Sequence, residues 1–328
     1  MASIGEALAQ PPGHYLAETT ITTLALGQPL TYHTHILRGR SPGPTGGPVV
    51  GIVSGLHGNE IATAELLLSL LEVVDIDALH GTLLLVPMAS ALTFDAGTRS
   101  TNIDGGDLNR VFPGSPGGTI TQMLAHAFCT HFLNACNVLI DTHAEPDAMV
   151  IRCSYAFAPA DDYGRRSMAL ARASGSPIIY AMQSLAGSLV DEARKRNIDA
   201  VLLETGGPLP GKWGLLAEAQ SEILNILRHL QMLPGDVETH TAPAIVEQVT
   251  HLRAPVGGLF RPHIGPNGVG QSIAPNLLLG TIVSPFSGEL LSELYSPATQ
   301  SWLMMARCRT TRVHPGDPLY IIGGAPVH

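Results

Sequence analysis

Pro48-Val49-Val50-Gly51-Ile52-Val53-Ser54-Gly55-Leu56-His57-Gly58-Asn59-Glu60 is an apolar run that passes into a glycine-flanked turn carrying a histidine and, three positions later, a glutamate. A short apolar run between turn residues reads as a strand buried on both faces, as a parallel sheet requires. At the end of such a strand, His57 and Glu60 can point at one ion, and zinc is the ion that imidazole and carboxylate ligands fit best. The spacing alone is weak. With 14 histidines in 328 residues, a strand-end histidine beside a glutamate that opens a solvated helix face explains it equally well.

The pattern repeats outward from this run. Val49–Val53, Thr82–Val86, Asn137–Ile140 and Ala200–Leu203 are four buried-strand candidates with room for helices between them. Helical periodicity fills 61–74 and 120–133, and a further helix is expected at about 215–232. Ahead of these, 19–26 and 30–38 alternate as two strands joined at Gly27-Gln28-Pro29, followed by a Gly/Pro-rich loop at 41–47. Strands alternating with helices predict an α/β fold, a mostly parallel mixed sheet flanked by helices. Beyond 243 the texture changes to short apolar segments between Gly/Pro turns (244–252, 277–283, 288–295, 303–309, 319–322). The expected organisation is therefore a catalytic domain over 1–242 and a small all-β, barrel-sandwich-like domain over 243–328.

Composition narrows the function. A hydrophobic content of 45% suits a well-buried globular chain, and a net charge of −9 with scattered basic residues argues against nucleic acid. No stretch approaches the roughly 20 apolar residues of a spanning helix, so no membrane association is expected. Residues 1–14 lack the pattern of a secretory signal, which makes cytoplasmic the default location. Four cysteines without Cys-x-x-Cys spacing read as reduced thiols.

In open α/β sheets, chemistry gathers at the carboxyl ends of strands. Three of the four runs end in suitable residues: His57 and Glu60, Asp141-Thr142-His143, and Glu204-Thr205-Gly206-Gly207. His57, Glu60 and His143 make a His₂Glu set, which leaves a fourth position for water. Asp141 lies on the same side of an extended segment as His143, placed either to orient that imidazole or to close a turn. Glu204 is the candidate general base and acid, its alternative being a helix cap. In the loop Gly105-Gly106-Asp107-Leu108-Asn109-Arg110-Val111-Phe112-Pro113-Gly114, Arg110 and Asn109 suit a substrate carboxylate. Arg99 suits a developing oxyanion, or is a solvated loop arginine.

Together, His57-Gly58-Asn59-Glu60, Asp107-Leu108-Asn109-Arg110 with Phe112-Pro113-Gly114, Asp141-Thr142-His143 and Leu203-Glu204 resemble the succinylglutamate desuccinylase/aspartoacylase family of the zinc-carboxypeptidase superfamily. The motifs cover about 45–215, and Pro255-Val256-Gly257-Gly258-Leu259-Phe260 and Pro315-Gly316-Asp317-Pro318-Leu319-Tyr320 extend the likeness towards the C-terminus. The resemblance implies a zinc-carboxypeptidase-like fold and an N-acyl amino acid amidohydrolase. One Zn2+ would be held by His57, Glu60 and His143, with Glu204 as base and acid, Asn109 and Arg110 on the substrate carboxylate, and Arg99 on the oxyanion. The loop 97–105 looks closer to the branch that deacetylates N-acetyl-diaminobutyrate-type compounds, while the interval from Arg99 to Arg110 is longer than in aspartoacylase. The family's assisting tyrosine has no clear counterpart beyond Tyr295.

Two further readings use the same residues: a metallocarboxypeptidase acting on peptides, and a non-catalytic zinc- or ligand-binding protein. The β region also has the texture of biotinyl or lipoyl carriers. However, the only lysines are Lys195 and Lys212, so it carries no attachment lysine. Covering the cleft, or contact between subunits of a homo-oligomer, suits it better.

Overall fold

The computed structural model describes residues 2–40, 47–146, 149–207, 214–238 and 242–324. Of the loop expected at 41–47, all but Gly47 lies outside the described residues. After a short helix, α1 (Ile4–Leu8), come β1 (Gly13–Thr23), β2 (Pro29–Arg38), β3 (Val49–Val53), α2 (Ile61–Val73), β4 (Thr82–Val86) and α3 (Ala91–Ala96). Next follow α4 (Ile120–His131), β5 (Val138–His143), β6 (Met149–Phe157), α5 (Asp162–Ser174), β7 (Ile178–Met182), α6 (Leu189–Lys195), β8 (Asp199–Gly206) and α7 (Gly214–His229). The four buried runs are all strands. The expected hairpin is also present, although β1 starts earlier than its alternation suggests because it pairs with β2 along nearly all its length.

The strands lie in the order β1-β2-β4-β3-β5-β8-β6. Pairings β4–β3, β3–β5 and β5–β8 are parallel; β2–β4 and β8–β6 are antiparallel. Side chains alternate between two cores. Val53, Leu84, Val86 and Leu139 join Phe128 of α4 and Phe132 just after it on one face. On the other, Val50, Ile52, Leu83, Leu85, Ile140 and Val201 meet Leu66, Leu67 and Leu70 of α2 and Ile223 and Ile226 of α7. Burial on both faces is what the apolar runs require. Because β4 and β5 flank β3 on opposite sides, the chain leaves β3 in one direction and returns in the other. That arrangement opens a crevice beyond the carboxyl ends of β3 and β5.

The C-terminal part contains β9 (Ala244–Val246), β10 (Gln248–Arg253), β11 (Gly258–Pro262), β12 (Ser272–Ile273), β13 (Leu278–Val283), β14 (Leu290–Tyr295), β15 (Ser301–Arg307), β16 (Thr311–Val313) and β17 (Pro318–Gly324). Apart from one 3-10 turn at Pro266–Gly268, its described elements are strands, and they divide between two sheets. β15 pairs with β6 and β9 with β7, so β15, β17 and β10, together with β7, β9 and β12, bring the main sheet to 13 strands among the described residues. β14-β13-β11-β16 form a second, four-stranded sheet. Phe260 and Ile282 of that sheet pack with Leu303, Leu319 and Tyr320 of the extension, and Val150 of β6 joins the same core. The change of texture at 243 therefore does not interrupt the main sheet. Among the described residues no helix is long and apolar enough to cross a membrane, and Cys129, Cys136 and Cys153 are buried free thiols.

Candidate metal centre and active site

The turn after β3 and the end of β5 converge on one carboxylate. Glu60 occupies the cap position before α2, yet its side chain makes no capping bond. Its Oε1 lies 2.6 Å from Nδ1 of His57 and its Oε2 lies 2.9 Å from Nδ1 of His143; the Ala144 N–H donates to Oε2 at 3.3 Å. All three side chains are buried, and one donor atom from each falls within 4.8 Å of the others. Burial pushes the Glu60 carboxyl up, but His143 and His57 outweigh it and hold the group at about 2.

The surroundings of this triad fix which ring nitrogens face inward. Asp107 Oδ1 is 3.1 Å from Nε2 of His57 and accepts the Asn109 backbone N–H at 2.9 Å, while its Oδ2 accepts Nε–H of Arg99 at 2.9 Å. A proton on Nε2 of His57 leaves the Nδ1 lone pair against a carboxylate oxygen. Two acceptors in contact need a shared proton or a metal cation between them, and two imidazoles with a carboxylate are a donor set that fits a divalent ion such as zinc. At His143 the partners compete. Leu189 N–H donates to Asn109 Oδ1 at 2.8 Å, which turns Asn109 Nδ2 towards Nε2 of His143 at 3.0 Å, whereas Asp141 Oδ2 sits 3.3 Å from the same nitrogen. Asn109 favours a bare Nε2 and Asp141 a protonated one. With Nδ1 bound to a cation, the protonated form prevails and Asp141 becomes its acceptor. Asp141 is fully buried and its Oδ1 has no hydrogen-bond partner.

Seven residues expected at the site line one cavity of about 540 Å³: His57, Glu60, Arg99, Asn109, Arg110, His143 and Glu204. Parallel register places Glu204 of β8 directly beside His143 of β5. Burial pushes the Glu204 carboxyl up to about 8; His143 opposes this and Glu60, Glu145 and Asp141 reinforce it. Arg99 is brought in by a close backbone approach, since a Cβ on Gly58 would lie 1.9 Å from the Thr93 carbonyl carbon. It is not a free solvated arginine: besides Asp107 it has Nη1 3.8 Å from Glu60 Oε1. Asn109 is buried, and both polar atoms of its amide are occupied by His143 and Leu189, so its contacts are with protein. Arg110 donates through Nη1 to the carbonyl of Asn109 at 2.7 Å.

Tyr295 is a correction. It lies 46% exposed on β14 in the second sheet, where its hydroxyl donates to Glu293, away from the cavity. The aromatic walls are instead Tyr155 of β6 and Tyr180 of β7, with Val249 and His251 of β10 and Ile321 of β17 also contributing. Glu145, two residues past His143, was missed as well. Its place two residues beyond a strand that ends in His143 was the available signal. Asp107 stood in a quoted motif without a role, because its partner His57 lies 50 positions away.

A mixed α/β sheet that gathers two imidazoles and a carboxylate at its strand ends, beside a cavity, has the build of an α/β enzyme whose site could hold a metal ion. The chain belongs to the succinylglutamate desuccinylase/aspartoacylase family, whose catalytic-domain model matches residues 46–230, more than half of its length. An N-alpha-acetyl-L-2,4-diaminobutyric acid deacetylase from Halomonas elongata is 30% identical over 204 residues, which span 61% of this chain and 59% of that protein. Two solved structures share the fold. A succinylglutamate desuccinylase from Silicibacter sp. TM1040 has a TM-score of 0.81 at 22% identity, over 96% of each chain. The product-bound ectoine utilization protein EutE (DoeB) from Ruegeria pomeroyi has a TM-score of 0.82 at 20% identity, over 96% of this chain and 97% of that one.

Proposed function

We infer that this chain hydrolyses the amide of an N-acyl amino acid, using one zinc ion held by His57, Glu60 and His143. The observation that carries this reading is the convergence of that donor set with Glu204, Arg99 and Arg110 on one cavity. A bound zinc would supply Lewis acidity and lower the pKa of a coordinated water.

The side chains divide the remaining work. Glu204, buried beside His143 with its carboxyl raised by burial, is placed to take a proton from water and return it to the departing nitrogen. Arg99, anchored through Nε to Asp107, keeps its terminal nitrogens close to the triad for an oxyanion. Arg110 offers a guanidinium to the substrate carboxylate. Asn109, whose Oδ1 accepts the Leu189 N–H, ties the loop to α6, which makes it a positioning residue.

Metal analysis of the purified protein, followed by a screen of N-acetyl, N-succinyl and longer N-acyl amino acids, tests the proposal. Close to one zinc per chain, with hydrolysis that chelator abolishes and zinc restores, is expected. Full activity after complete metal removal would overturn it.

A further inference from the structure

Five described residues that line the cavity carry formal charge: Glu60, Glu145, Glu204, Arg99 and Arg110. Three already have work. Glu60 faces the two histidines, Arg99 is bonded to Asp107, and Glu204 stands beside His143 as the proton carrier. Arg110 and Glu145 remain for the charges a substrate brings.

Glu145 is half-buried. Its backbone N–H is fixed to the Gly206 carbonyl at 3.0 Å, and among the described residues no side chain hydrogen-bonds or pairs with its carboxylate. The two arginines whose charge reaches it are committed elsewhere, Arg99 to Asp107 and Arg307 to the carbonyl of Pro318 at 3.1 Å. A carboxylate enclosed in this way without a cation is costly unless a ligand supplies one. Its neighbours on the cavity wall are aromatic. Tyr155 and Tyr180 meet edge-to-face with centroids 5.2 Å apart, and both half-buried rings line the same cavity. A carboxylate together with aromatic faces is the chemistry that receives an ammonium or guanidinium group.

We propose that Glu145, backed by Tyr155 and Tyr180, forms a cation-accepting subsite that selects N-acyl amino acids with a positively charged side chain. Arg110 receives the carboxylate of such a substrate and Glu145 its side-chain cation. Dicarboxylic substrates set like charge against Glu145 and are disfavoured. The inference rests on the deacylase reading and adds a specificity-determining residue to it.

The test compares Nα-acetyl derivatives of diaminobutyrate and ornithine with those of norvaline and norleucine, whose side chains match in length without charge, and with Nα-acetylglutamate. The zinc-loaded wild type should show kcat/KM roughly 10- to 100-fold higher for the cationic member of each pair, the range of a charge-assisted hydrogen bond. Glutamate should be the poorest substrate. In Glu145→Gln the cationic-to-neutral ratio should collapse towards one, and Glu145→Asp should retain part of it. A ratio near one in the wild type, or an unchanged ratio in Glu145→Gln, overturns the proposal. So does an equal loss on both members of a pair, because Glu145 would then act at the reacting amide. Calorimetric binding of free diaminobutyrate and norvaline to wild type and Glu145→Gln reads the same preference without turnover. If no acyl amino acid is hydrolysed the deacylase reading fails, while the calorimetry still judges the subsite.

Discussion

Asp107 joins three functional parts through one carboxylate: the Nε2 of His57, the backbone of Asn109 and the guanidinium of Arg99. Burial pushes its pKa up, but the bond from His57 and the charges of His57, Arg99 and Arg110 prevail and hold it far below the usual carboxylate range. Asp107→Asn keeps the shape and removes the charge, so zinc affinity should fall about 10- to 100-fold, as for other groups that orient a ligating histidine. Competition with a calibrated chelator measures it, and an affinity equal to wild type would refute the role. His57 and Glu60 were readable because one turn carries both, and His143 and Glu204 because each ends or nearly ends an apolar run. Asp107 and Glu145 were not. What matters about them is which groups they face in space, and neither spacing nor periodicity carries that information.

Among the elements, the parallel strands deliver the ligands and α6 sets the loop that faces them. Ser188 caps α6 by accepting the Asp191 N–H at 3.2 Å, Leu189 N–H reaches Asn109, and Phe112 N–H donates to the Gly187 carbonyl at 3.0 Å. Gly187 has φ +76°, and a Cβ there would stand 2.3 Å from the Arg110 carbonyl oxygen. Gly187→Ala should therefore push Arg110 away, raising KM severalfold with zinc content unchanged and costing about 1–2 kcal/mol of stability from the left-handed backbone. An unchanged KM would separate Arg110 from substrate binding. The four apolar runs were legible because burial on both faces leaves an unbroken signal. α5 and β7 were not read: the buried face of α5 mixes Tyr163, Met168 and Leu170 with five small residues, Gly164, Ser167, Ala171, Ala173 and Ser174, so few of its positions are large and apolar. β6 blends into its neighbours because Arg152 and Ser154 interrupt its apolar pattern.

Across the whole molecule, the C-terminal strands are bonded into the sheet that carries the site, and through β10 and β17 they supply part of the cavity wall. The reverse face holds a charge cluster, with Arg152 of β6 paired to the exposed Glu218 and lying 3.7 Å from the buried Glu222 of α7. Burial raises the Glu222 carboxyl to about 7 from its ordinary 4.5; Arg152 opposes the shift and Glu218 adds to it. The folded protein thus binds this proton more tightly than the unfolded chain. The group costs nothing below about 4.5, and its penalty grows as pH rises towards 7. Glu222→Gln should leave stability nearly unchanged at pH 4.5 and raise it by roughly 1–3 kcal/mol at pH 8, as read by denaturant unfolding at the two pH values. Equal effects at both would contradict the assignment. The central claim, that a metal held by His57, Glu60 and His143 works with Glu204 as the proton carrier, is tested most directly by Glu204→Gln. Zinc content and turnover of an N-acyl amino acid should be measured on the same preparation. The account predicts one zinc per chain with turnover reduced by about 10²- to 10⁴-fold or more, and wild-type turnover in that variant would contradict it.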